Sequence, residues 1–268
     1  MHLDVLDLRA FYYRTHLGRL AQRALQEALR RLWPETGGLT IVGYGFAAPM
    51  LRPFLADARR VLALMPSPQG VMPWPPGGPN VAALVEEVRW PVEAASVDRL
   101  IVAHGLETCE RPDALLAEIW RVLAPGGRAV FIVPNRSGLW ARRDATPFGY
   151  GRPYSLGQLE AVLRQHRFVP ERHAGALYAP PTHRRFWFQW SYLWERIGRR
   201  FDPRPVAGAL LVETSKQVYA LPPRGSKVTI PGPLDVLGGL TKPSPEPVAG
   251  STSRELPLQR RSRADRVT

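Results

Sequence analysis

Two places in this chain set chemically capable residues at the end of an apolar run. Gly43 and Gly45 form a G-x-G pair around Tyr44, directly after the apolar residues 39–42. Glycines so placed permit a tight turn and leave no side chain between the backbone and a nucleotide-like ligand. His104 stands at the end of a second apolar run, residues 97–103, with Glu107 three positions on. A histidine there can act as a general base if a bound molecule must lose a proton. The plainer readings are a strand-end histidine bonded to backbone and a glutamate that caps or salt-bridges locally. Tyr150 and Tyr154 either line a pocket for a second substrate or serve the loop that carries them. Cys109 is the single cysteine, which excludes an internal disulfide and a multi-cysteine metal site.

Those residues need elements to hold them. Residues 3–33 read as two helices. In the second, Leu17, Leu20, Ala21, Ala24, Leu25, Ala28, Leu29 and Leu32 keep a helical period, and Pro34 with Gly37 and Gly38 ends it. Strands are expected over residues 39–42, 60–64, 81–88, 97–103, 128–133, near 168–176, and over a closing segment 209–220. Helices are expected from Pro49, over 112–123, and over 155–164 with Ser155 as N-cap. Pro53 should shorten the helix begun at Pro49. Residues 66–79 carry six prolines and three glycines and make an irregular loop. Helices alternating with apolar strands give an α/β architecture, a mostly parallel sheet with helices on both faces. Ligands on such sheets bind outside the carboxyl ends of the strands. The loops after Val42, Leu64, Val88 and Ala103 gather at that edge.

The 268 residues, 45% of them hydrophobic, suffice for one sizeable core, and no apolar run reaches the length of a membrane span. Residues 1–7 carry two acids and no small-residue cleavage site, unlike a secretory signal. A cytoplasmic protein is the expectation. The net charge is +13, but acids and bases interleave along most of the chain, which reads as a solvated arginine-rich surface and argues against nucleic acid. Three segments follow: N-terminal helices over 1–37 packed on the body, an α/β domain over 38–221, and a disordered basic tail over 222–268. Residues 183–200 form an aromatic basic helix inserted in the domain. It reads as a helix packed on the body, as a lid over the substrate, or as a contact with a membrane surface.

Residues 95–107, with the D-R-L-I-V-A-H-G-L-E run, resemble the fourth-strand segment of class I S-adenosylmethionine-dependent methyltransferases of the type 11 kind. Residues 116–133 resemble that family's helix, L-x-P-G-G turn and fifth strand. The resemblance covers residues 38–175 and extends more loosely to 220. It implies a Rossmann-like seven-stranded sheet whose last strand is antiparallel, and S-adenosylmethionine as cofactor. It places Gly43, Tyr44 and Gly45 at the cofactor loop, with Ala47 in place of a third glycine. Met65 falls where a carboxylate normally holds the ribose, and Ile41 where the family has an acid before the loop. Glu86 or Glu87 falls near the acid that accepts from the adenine amino group, and His104 lies at the same edge. The cofactor motif is therefore degenerate. No N-P-P-Y motif follows the fourth strand, so nothing points to a nucleobase or a glutamine amide as acceptor. The resemblance implies methyl transfer to a small molecule or lipid. The alternative is an inactive methyltransferase-fold protein that binds a protein partner.

Overall fold

The computed structural model describes residues 4–142, 146–181 and 206–217. The readings of residues 183–200 as a helix and of 222–268 as a tail lie outside them.

The chain opens with α1 (Val5–Arg9), a π-helical turn (Ala10–Arg14) and α2 (His16–Leu32). Asp4 caps α1 by accepting from Leu6 N, and Thr15 caps α2 by accepting from Gly18 N at 2.9 Å. The period seen in the sequence puts Leu17, Ala21, Ala24, Leu25, Ala28, Leu29 and Leu32 on the buried face of α2. Then come β1 (Thr40–Gly45), α3 (Ala48–Leu51), β2 (Arg60–Pro66), β3 (Ala82–Val85) and β4 (Val97–Ala103). They are followed by α4 (Pro112–Val122), β5 (Leu123–Pro134), α5 (Leu156–Gln165), β6 (Val169–Ala176) and β7 (Ala209–Ser215). Pro53 has the expected effect: α3 lasts one turn and passes into a 3-10 turn, Arg52–Phe54. Ser155 caps α5 within a full capping box with Gln158.

The seven strands form one sheet in the order β3-β2-β1-β4-β5-β7-β6, with β7 antiparallel to both neighbours. The fold class expected from the sequence is present. Alternation along the strands divides the core. Ile41, Ala63, Met65, Ile101, Ala103, Val130 and Ile132 share one cluster with α1, α2 and α3. Val42, Tyr44, Leu64, Leu100, Val102 and Phe131 share the other with α4 and α5. The irregular loop expected over residues 66–79 is present, and neither the β2–β3 nor the β3–β4 connection holds a helix among the described residues; the strand expected over 81–88 is shorter. The prolines of residues 66–79 deny a helix its amide donors, and β3 shrinks to four residues, ending before Glu86.

The L-x-P-G-G turn is fastened to the last strand. Gly126 N donates to Lys216 O, Lys216 N donates to Gly127 O, both at 2.9 Å, and Lys216 Nζ donates to Leu123 O at 2.6 Å. On the other face, Glu213 of β7 is fully buried and gathers three donors. Arg172 of β6 reaches it with Nε and a second nitrogen, the latter at 2.9 Å; Trp33 Nε1 donates at 2.8 Å; Arg128 lies 3.3 Å away. Burial alone would push this carboxyl up. The Arg172 and Trp33 hydrogen bonds and the Arg128 charge outweigh it and hold Glu213 below the ordinary carboxylate range. The cluster ties the end of α2 to the sheet.

Candidate active site at the β1–β4 switch point

The chain winds outward from β1 to β3 and then crosses back to β4, so the winding direction reverses between β1 and β4. Crevices at such reversals are where open α/β sheets bind ligands. Four segments meet there. From β1 comes Phe46, whose N donates to Ala103 O at 2.8 Å. After β4 comes His104, at φ +51, a left-handed conformation that histidine enters more readily than most residues. Gln69, after β2, donates from its side chain to His104 O. From the π-helical turn comes Tyr12, its ring stacked on Phe46 at 5.8 Å and its oxygen 2.7 Å from His104 Nε2. Tyr12, Phe46, Met65, Gln69 and His104 are each no more than 3% exposed.

Behind the imidazole, Glu107 Oε1 lies 3.3 Å from His104 Nδ1, off the hydrogen-bond line. The carboxylate favours the tautomer with the proton on Nδ1, which makes Nε2 the acceptor and Tyr12 the donor. Burial, and then the Glu107 charge, push the Tyr12 phenol well above its ordinary value, so it keeps the proton it donates.

The seven residues expected at a cofactor loop are not brought together. Both glycines answer to the chain's own packing. A Cβ on Gly43 would meet Ala47 Cβ and Leu51 Cδ1 at 2.7 Å, and one on Gly45, at φ +78, would meet Ala103 O at 2.3 Å. Tyr44 points to the opposite face and stacks on Trp90 at 4.7 Å. Met65 packs in the apolar cluster beside α1–α3, as does Ile41. Glu86 is exposed, and Glu87 is half-buried, its backbone oxygen accepting from Trp90 Nε1 at 3.2 Å. Of the seven, His104 brings its side chain into the crevice and Gly45 brings backbone to its edge. Tyr154 packs beside the α4–α5 cluster, and Tyr150 beside the cluster of α1–α3. Sequence reasoning missed Tyr12 and Gln69. Tyr12 reads as one more apolar position of a helix, and its 92-residue separation from His104 leaves no local signal.

An adenosyl group at this crevice would need the space between the β1 and β4 loops. With residues 4–14 where they are, the Tyr12 and Phe46 rings fill it, and the closed arrangement does not accept the group. Among the described residues no group of His, Cys, Asp and Glu is placed to hold a metal. Cys109 lies on the far side. Burial, with Glu87 adding to it, pushes its thiol up to about 11. Its thiolate is scarce at neutral pH, so exchange with an aromatic disulfide in the native protein should run about a hundredfold slower than for an ordinary free thiol and accelerate on unfolding. A timed Ellman titration with and without guanidinium checks this; equal rates would refute it.

Residues 39–131 match a family model described as a methyltransferase domain. No curated protein matches the chain. Among solved structures, a possible histamine N-methyltransferase from Thermotoga maritima, described as SAM-dependent, is 14% identical. The match covers 75% of this chain and 92% of that one, with a TM-score of 0.52. A putative methyltransferase from Haloferax volcanii, solved with the Trm112 methyltransferase activator, is 16% identical over 81% of this chain and 98% of that one, TM-score 0.55. A geranyl diphosphate methyltransferase in complex with GPP and sinefungin is 15% identical over 74% and 78%, TM-score 0.50. The matched span runs from the G-x-G turn through His104 to the L-x-P-G-G turn. The chain thus has the fold of these solved methyltransferases, and its residues 39–131 match the methyltransferase-domain model.

Proposed function

We propose that this chain is an S-adenosylmethionine-dependent methyltransferase for a small-molecule or lipid acceptor, and that the arrangement described here is its closed form. The observation that carries the reading is the family match over β1–β5 together with a buried base, His104, at the sheet's switch point. The Thermotoga neighbour, described as SAM-dependent, supports the cofactor. When bound, that cofactor supplies an already activated methyl group, so the chain's own task is to bind, orient and exclude water. Opening means withdrawal of Tyr12 from Phe46 and His104. No described helix is long and apolar enough to cross a membrane, and a buried lone cysteine suits a cytoplasmic setting.

A second reading is favoured by Ile41 and Met65, which put apolar side chains in the core where the family has carboxylates. In it, the chain is a methyltransferase-fold protein that binds a protein partner without catalysis. One experiment separates the two. Wild-type chain and the Tyr12→Ala variant are melted with S-adenosylhomocysteine up to millimolar concentration. The first reading expects a rise in midpoint, larger in the variant; a ligand at one hundred times its dissociation constant adds about 2.7 kcal/mol. No rise in either protein overturns it and leaves the second.

A further inference from the structure

The crevice already holds a ligand-like group, contributed by the chain itself. The Tyr12 ring lies on Phe46 with planes 18° apart, and its hydroxyl meets His104 Nε2. Phe148 closes against the imidazole edge at 4.9 Å. These are the parts that recognise a phenol: a flat apolar face, one acceptor nitrogen, and a wall. Glu107 adds the informative detail. Its side chain is 1% exposed, and neither oxygen has a hydrogen-bond partner among the described residues. An unsatisfied buried carboxylate is costly. A purely structural Tyr–His contact does not require one, because a tyrosine hydroxyl bonds to either tautomer of histidine. Glu107 is explained if Nε2 must stay an acceptor whatever hydroxyl stands before it.

We propose that this crevice is a binding site for a phenolic ligand, an aromatic ring with a free hydroxyl, whose place Tyr12 takes in the closed chain. An aromatic amine would leave hydrogens without acceptors, and an aromatic carboxylate would meet the Glu107 charge. The proposal does not rest on the methyltransferase reading, because the ring would stand in the space an adenosyl group needs. His104 is the group that touches it, and Glu107 is a positioning residue.

The test titrates 4-nitrophenol, at about pH 6 where its hydroxyl keeps its proton, and its hydroxyl-free counterpart 4-nitrotoluene, by calorimetry, into the full chain as wild type, Tyr12→Phe and Tyr12→Ala. The nitrophenol should bind more tightly from wild type to Tyr12→Phe to Tyr12→Ala, by at least tenfold in all, and nitrotoluene at least tenfold more weakly than nitrophenol in each. Adding Glu107→Gln to Tyr12→Ala should cost nitrophenol about tenfold and leave nitrotoluene unchanged. In wild type, saturating nitrophenol should speed hydrogen exchange of amides in residues 5–14. Equal affinity for the two probes, or no exchange change in wild type, overturns the proposal. The Tyr12→Phe protein keeps the test decisive if Tyr12→Ala fails to fold. S-Adenosylhomocysteine binding without phenol binding removes the ligand class and leaves the methyltransferase reading; the reverse removes that reading and leaves the site.

Discussion

Gly45→Ala should lower folding stability by about 2–5 kcal/mol, adding a left-handed backbone penalty to an overpacking cost. Gly45 sits at φ +78, and the added Cβ would stand 2.3 Å from Ala103 O and 3.0 Å from Gly105 N. Both are backbone atoms, so relief requires β1 and β4 to part at the crevice itself. Gly126 is the internal control. Its φ of +73 is as unusual, but nothing lies within 4 Å of its Cβ position. Gly126→Ala should therefore lose only the backbone part, about 1 kcal/mol. Urea unfolding followed by tryptophan fluorescence measures both. Equal losses would mean that the close approach of the two strands has no energetic consequence.

Arg172→Ala should cost about 3 kcal/mol, because it strips the main partner from a carboxylate that has no exposure of its own. Glu213→Gln should cost less, about 1–2 kcal/mol. The amide oxygen still accepts from Trp33, and the arginines left behind are partly exposed, 43% for Arg172 and 34% for Arg128, and can hydrate. Reversal of that order would refute the account of the cluster. The pH dependence has a definite sign. Glu213 titrates below its unfolded value, so its contribution is present above about pH 4.3 and is lost as pH falls through the lower folded value. Wild type should lose stability on acidification below pH about 4 more steeply than Glu213→Gln.

Much of the frame was legible in the residues because the signals are local. The Ser155 cap, the proline that cuts α3 short, the period of α2 and the L-x-P-G-G turn each depend on neighbours within a few positions. The antiparallel last strand came through family likeness, not through any pattern in residues 209–215. The site was legible at His104. The G-x-G pair points to the right place, and both glycines also serve close packing of β1 against α3 and β4. Tyr44 was assigned to the loop, yet strand alternation turns it to the other face, where Trp90 receives it. Tyr12 and Gln69 converge on His104 from distant parts of the chain, and no spacing rule anticipates such a meeting.

The N-terminal cover is moored at both ends. Its far end is held by Trp33 in the Glu213 cluster and by the buried face of α2, and its near end by the Val5 N–H donated to Gln69 O at 2.7 Å and by the buried Leu8 and Tyr12. Between them stands Thr15, the one extended residue between the two helical stretches, at φ −92 and ψ 149. A swing about that joint would break the Val5–Gln69 hydrogen bond and uncover Leu8 and Tyr12, so access to the sheet edge carries the cost of wetting part of the core.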